Sequence, residues 1–115
     1  MQQTADPEAS RQYRRLEDVL GCKWSVSVLL AIAGGVQRPG ALERHIRGIS
    51  AKILSERLRK LEAYGLISKS VKASKPPRTD YALTKHGTKV VALIAQVRAL
   101  DEEIHGSERQ PTARE

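Results

Sequence analysis

Between Lys52 and Arg59 the chain carries two cations, a hydroxyl and a carboxylate that share one side of a helix: Lys52, Ser55, Glu56 and Arg59. At about 100° per residue, Leu54, Leu58 and Leu61 fall on the opposite stripe, and Ile53 widens it. The polar set mixes donors with acceptors. Arg and Lys can donate to guanine O6 and N7, a carboxylate can accept from cytosine N4, and a hydroxyl serves either way. The same four side chains can equally be ordinary solvated surface, so their surroundings decide their meaning.

Those surroundings are positive. The chain of 115 residues has a net charge of +7, and 11 of its Lys and Arg lie between Arg38 and Asp80 against 4 acids. The remainder is balanced, so the whole excess sits in the middle third. Segregation of this kind creates the local field that a polyanion needs. Lys60, on the flank of the helix, can reach a phosphate. Arg38, Arg44 and Arg47 lead into it and are candidates for phosphate contacts, with plain surface charge as the alternative. Lys72, Lys75 and Arg78 lie within the stretch "KASKPPR", where they can meet a nucleic-acid backbone or minor groove. Pro76 and Pro77 would stiffen that stretch and reduce the entropy lost on docking. Arg57 lies at the edge of the apolar stripe and is open to internal pairing or to phosphate contact.

Other chemistries find little support. One cysteine excludes an internal disulfide and a cysteine-based zinc finger. No paired carboxylates, nucleophile with a base, metal cluster or phosphate loop is spaced for catalysis, which argues against an enzyme. Nothing calls for a cofactor or a metal; His45, His86 and His105 are scattered. The start "MQQTADPEAS" is polar and acidic, unlike a signal peptide, and the apolar run "VLLAIA" is far short of a membrane span. A cytoplasmic protein without membrane contact is expected.

The elements that must position these residues follow from periodicity and punctuation. Residues 1–8 and 106–115 read as disordered tails around a single domain at 9–105. A first helix is expected at about 9–20, with Tyr13, Leu16 and Leu20 on one seam. A second, about 22–33, is apolar on nearly every side and belongs in the middle of the fold. "GGVQRPG" breaks the chain, and a short third helix at about 40–46 aligns Leu42 with Ile46. "RGIS" then leads tightly into a helix at about 50–64, with Ser50 as N-cap and Gly65 as the terminating glycine. Alternation takes over at Ile67 and Val71 and again at Tyr81 and Leu83, which predicts a β-hairpin. Thr84 caps a last helix at about 85–104. Its Val90, Leu93, Val97, Leu100 and Ile104 form a heptad seam, broadened by Val91 and Ile94. The seam can pack within one subunit, but its length and the matching seam of the first helix favour dimerisation. The expected fold is mainly α with a small β-hairpin: a winged helix-turn-helix with N- and C-terminal dimerisation helices. A two-fold homodimer would hold its recognition helices about one DNA turn apart, roughly 34 Å, and read an inverted repeat.

Three stretches carry a family resemblance: "KW" at Lys23–Trp24, "GISAKILSERLRKLEAYGLI" at 48–67 and "KPPRTDYALTKHG" at 75–87. Together and in this order they resemble the HxlR family of bacterial winged-helix transcription regulators, relatives of the MarR group. The resemblance covers about residues 22–100. It implies a DNA-binding homodimer built from the first and last helices, with helix 50–64 in the major groove and the 72–78 loop as the wing. The chain departs from many relatives in having Pro39, not an aromatic, after Arg38. Its cysteine, Cys22, also stands just before the "KW" pair rather than in or before the first helix.

Cys22 has two readings. A nearby helix N-terminus and Lys23 favour a thiolate, which suits a redox or electrophile sensor; a small, partly buried core residue is the alternative. Trp24 and Tyr81 read as core anchors, and ligand stacking is the other role open to Trp24. The expected partners are double-stranded DNA, a second copy of the chain, and a small-molecule or oxidant effector. The expected activity is sequence-specific regulation of transcription, as a repressor, because so short a chain has little room for a polymerase-contacting domain. The rival reading is a nonspecific or architectural nucleic-acid-binding protein, followed by a winged helix used for protein interaction.

Overall fold

The computed structural model describes residues 13–109. Along them run α1 (Leu16–Leu20), α2 (Lys23–Ala33), α3 (Pro39–His45), α4 (Ala51–Tyr64), β1 (Ile67–Lys72), β2 (Arg78–Leu83) and α5 (Lys85–Arg109). The architecture is the expected winged helix-turn-helix. Its two ends differ from expectation. Residues 9–12, the expected tail at 1–8 and positions 110–115 of the expected tail at 106–115 lie outside the described residues. Tyr13 and Arg14 are not helical, and Arg15 is the N-cap of α1. The cause is Asp18, whose carboxylate accepts from the backbone N–H groups of Arg14 and Arg15 at 3.0 and 3.1 Å and so fixes the helix start at Leu16. At the other end α5 runs on to Arg109, so residues 106–109 are helix rather than tail.

α2 occupies the centre. Its Val28, Leu29, Ala31 and Ile32 are buried, and it packs against α1, α3, α4, α5 and β2. α4 contributes Leu54, Leu58 and Leu61 to the same core, while Ile67, Tyr81, Val90 and Ile94 close it from the hairpin and α5. Removing each of these Leu side chains from water stabilises the fold by about 1.5–3 kcal/mol.

Local chemistry sets both ends of α4. The Ser50 hydroxyl accepts from Ile53 N–H at 3.1 Å. Gly65, at φ +93°, ends the helix left-handed, and Leu66 N–H then donates back to Leu61 C=O at 3.0 Å. The hairpin pairs Ile67 with Leu83, Lys69 with Tyr81 and Lys72 with Arg78. Only its base is buried: Ile67 is 2% exposed, whereas Val71 on the same face is 59% exposed because the strands outrun the body. Tyr81 N–H donates to Gln37 C=O at 2.8 Å and ties β2 to the chain ahead of α3.

Thr84 joins α4 to α5. Its hydroxyl donates to Gly65 C=O at 2.6 Å and accepts from Gly87 N–H at 3.0 Å, which caps α5. Gly87 is required there, since a Cβ would collide with the Leu66 carbonyl oxygen.

Candidate nucleic-acid interface

With its leucines buried and both ends capped, α4 presents a fixed outer face. Lys52, Ser55 and Arg59 are exposed on it, and Glu56 is half-buried. The sequence therefore places these four as the structure does. One flank of α4 is occupied differently. Arg57, Lys60 and Tyr64 recur at helical spacing and face the segment ahead of α1. There Arg57 Nη1 donates to the Tyr13 hydroxyl at 3.3 Å, Tyr64 meets the Tyr13 ring edge-on with centroids 6.2 Å apart, and Lys60 Nζ lies 5.6 Å from the Tyr13 ring centroid. Arg57 thus takes the internal of its two expected roles. The Lys60 ammonium is engaged by an aromatic face rather than standing open beside Arg59.

The wing is cationic, and its charge is organised by one carboxylate. Lys72, Lys75 and Arg78 are exposed along the hairpin, as is Arg38 at the N-cap of α3. Asp80 reaches three of them: Arg78 at 3.5 Å, Lys72 at 3.6 Å and Arg38 at 3.9 Å, with its own side chain only 15% exposed. Lys75 is at the tip, where the Ser74 hydroxyl donates to Pro76 C=O at 2.7 Å. Sequence reasoning counted Asp80 as one more acid and missed this hub. The signal was the strand alternation that puts Arg78 and Asp80 on one face, but it becomes readable only once Lys72 is known to pair with Arg78. Between wing and α3 lies an open groove lined by Arg38, Lys72, Lys75 and Arg78. Arg44 and Arg47, at the end of α3 and in the turn beyond it, are exposed.

Cys22 is partly buried at the N-cap of α2. Burial pushes its thiol up, but Ser25, the Tyr13 hydroxyl and the Arg57 guanidinium outweigh burial and hold it below the ordinary thiol value. Tyr13 is itself hydrogen-bonded to the Ser25 hydroxyl, and burial raises its phenol above the usual range.

The residues expected at a dimer interface divide into two groups. Tyr13, Leu16 and Leu20 are partly buried against the chain's own core, and Val90, at 4% exposure, is inside it. Leu93, Val97, Leu100 and Ile104 remain 42%, 59%, 56% and 52% exposed along α5. The open part of the seam therefore begins one step after Val90. Val90 and Ile94, each 4% exposed, belong to the buried core instead.

Four helices around a buried α2, a capped helix presenting polar groups, and a cationic hairpin beside it define a winged helix-turn-helix protein. Residues 19–109 match the model of the HxlR-like helix-turn-helix family, and the chain belongs to that family. It is 37% identical over 83 residues to an HTH-type transcriptional regulator of Synechocystis sp., covering 72% of this chain and 62% of that protein, so the match spans less than two thirds of that relative's length. It is 33% identical to an HTH-type transcriptional regulator of Bacillus subtilis, YkvN, covering 70% of this chain and 69% of that one. Among solved structures, a MarR-family transcriptional regulator from Enterococcus faecalis V583 superposes with TM-score 0.75 at 26% identity, covering 95% and 97% of the two chains. The redox regulator HypR in its oxidized form superposes with TM-score 0.69 at 28% identity, covering 76% and 91%. No helix among the described residues is long and apolar enough to cross a membrane.

Proposed function

We propose that the protein is a cytoplasmic, sequence-specific regulator of transcription that binds inverted-repeat duplex DNA as a homodimer and represses by occupying its site. The observation that carries this reading is the outer face of α4. Lys52, Ser55, Glu56 and Arg59 stand together on a helix locked at both ends, beside a wing bearing Lys72, Lys75 and Arg78. A recognition helix reads base edges with a few such side chains, while flanking cations neutralise phosphates. The four apolar side chains left open along α5 support the homodimer, because a helix with an uncovered seam gains by pairing with a second copy. An oxidant effector acting at Cys22 is favoured by one observation, the low-lying thiol between Ser25, Tyr13 and Arg57.

Selection of bound duplexes from a random pool tests the reading. Enrichment of a palindromic consensus is the expected outcome. Retention without sequence preference would favour the architectural alternative, and no retention would favour a protein-interaction module. Repeating the selection with a thiol oxidant tests Cys22: an oxidant effect that disappears in Cys22→Ser would support the sensor.

A further inference from the structure

α4 and the wing do not account for all the positive surface. A cleft of about 340 Å³ lies between the start of α2 and the end of α3, and its walls include Lys23, Trp24, Ser27, His45, Ile46 and Arg47. Three basic side chains line it, and no carboxylate does. Among the described residues, no Asp or Glu lies within ion-pair distance of Lys23, His45 or Arg47. The wing is different, because Arg38, Lys72 and Arg78 there share Asp80.

Nor does Lys23 hang loose. Its Nζ lies 4.9 Å from the Trp24 ring centroid, a cation–π arrangement that restricts where the ammonium can go. The far edge of the same ring rests under the turn that feeds α4: a Cβ on Gly48 would sit 3.7 Å from Trp24 Cη2. Gly48, at φ +84°, directly follows Arg47 and stands two residues before the Ser50 cap. Lys23 and Arg47 therefore flank one rigid turn at the entry to α4. The cleft is open, mixed in polarity and uncompensated in charge. That suits an oxyanion carried on a neighbouring polymer better than an enclosed small molecule.

We propose that Lys23 and Arg47 form a clamp for a backbone phosphate of duplex DNA beside the half-site contacted by α4, with Trp24 acting as the positioning residue that holds Lys23 against the turn. The clamp rests on the DNA-binding reading above and extends the contact surface to the start of α2, outside the basic middle third of the sequence.

The test measures binding of wild type, Lys23→Ala, Lys23→Arg and Arg59→Ala to a selected duplex and to a random-sequence duplex over a salt series, with phosphate-ethylation interference on the selected duplex. Lys23 is exposed, so Lys23→Ala should keep the wild-type circular dichroism. Lys23→Ala should flatten the plot of log K against log salt by about 0.9, weaken both duplexes by the same factor and remove interference at one phosphate per half-site. Lys23→Arg should retain all three wild-type properties. An unchanged slope with an unchanged interference pattern in Lys23→Ala overturns the clamp alone. So does a loss confined to the selected duplex, which is the behaviour expected of Arg59→Ala. Failure of wild type to bind either duplex would overturn the DNA-binding reading, and the clamp with it.

Discussion

At the scale of single residues, charge and chemistry divide along α4 by angle. Arg57 and Arg59 are two positions apart, yet Arg57 turns to the Tyr13 hydroxyl while Arg59 stays exposed. Arg59→Ala should relax sequence preference at one position of each half-site, at a cost of about 1–3 kcal/mol in discrimination. An unchanged preference profile in a binding-site selection would refute that role. Cys22 offers a second test. Because its thiol is held below the ordinary value of 9.0, the thiolate is favoured in the folded protein, and alkylation should switch on at lower pH than for an unfolded cysteine. The contribution to stability has the matching sign: present above the unfolded thiol value and lost as pH falls through the folded one. Ser25→Ala removes the largest lowering influence, so the midpoint of the alkylation profile should move up; a midpoint equal to wild type would contradict this account. The sequence identified Cys22 and its neighbour Lys23. It could not reveal Ser25, Tyr13 and Arg57 as the groups around the thiol, because Tyr13 and Arg57 come from segments 44 residues apart.

At the scale of elements, the helices and strands were legible wherever periodicity and punctuation agree. Ser50 and Gly65 bound α4 as their chemistry demands, and Thr84 caps α5. Gly87 looked like one letter of a motif, and its reason is spatial, the Leu66 carbonyl beside it. The start of α1 was misread because an apolar seam says nothing about capping, and Asp18 sets the boundary. The wing shows the limit most clearly. Its cations were visible as charge, but their arrangement depends on Asp80, which faces Arg38, Lys72 and Arg78 together. Removing that carboxylate leaves the three cations uncompensated and less ordered. Asp80→Asn should therefore raise affinity for any duplex and reduce the ratio of selected to random-sequence affinity, as read by competition at fixed salt. A ratio equal to that of wild type would show that Asp80 does not organise the wing.

At the scale of the whole molecule, the proposed homodimer has to hold two copies of α4 in register. Thr84 bonds both to Gly65 at the end of α4 and to Gly87 in the first turn of α5, so α5 leaves the domain at an angle fixed to α4. Past Ile94, residues 95–105 of α5 are exposed, and Val97, Leu100 and Ile104 form an uncovered stripe. The heptad spacing of that stripe was legible; the inward turn of Val90 was not, because spacing alone does not say where a helix crosses its own core. Leu100→Glu, on a residue 56% exposed in the single chain, should leave the fold intact and halve the mass seen by sedimentation equilibrium. It should also abolish selective binding to an inverted repeat. An unchanged mass would place the homodimer elsewhere or remove it. Entry of the outer face of α4 into a DNA groove can be read by tethering an iron chelate at Ser55→Cys in a Cys22→Ser background and mapping hydroxyl-radical cleavage of a selected duplex. Two clusters of cuts centred one helical turn apart, roughly 34 Å, are expected, one from each copy of α4. Uniform cleavage along the duplex, or cleavage no stronger than from a chelate tethered on the opposite side of the domain, would contradict groove entry by α4.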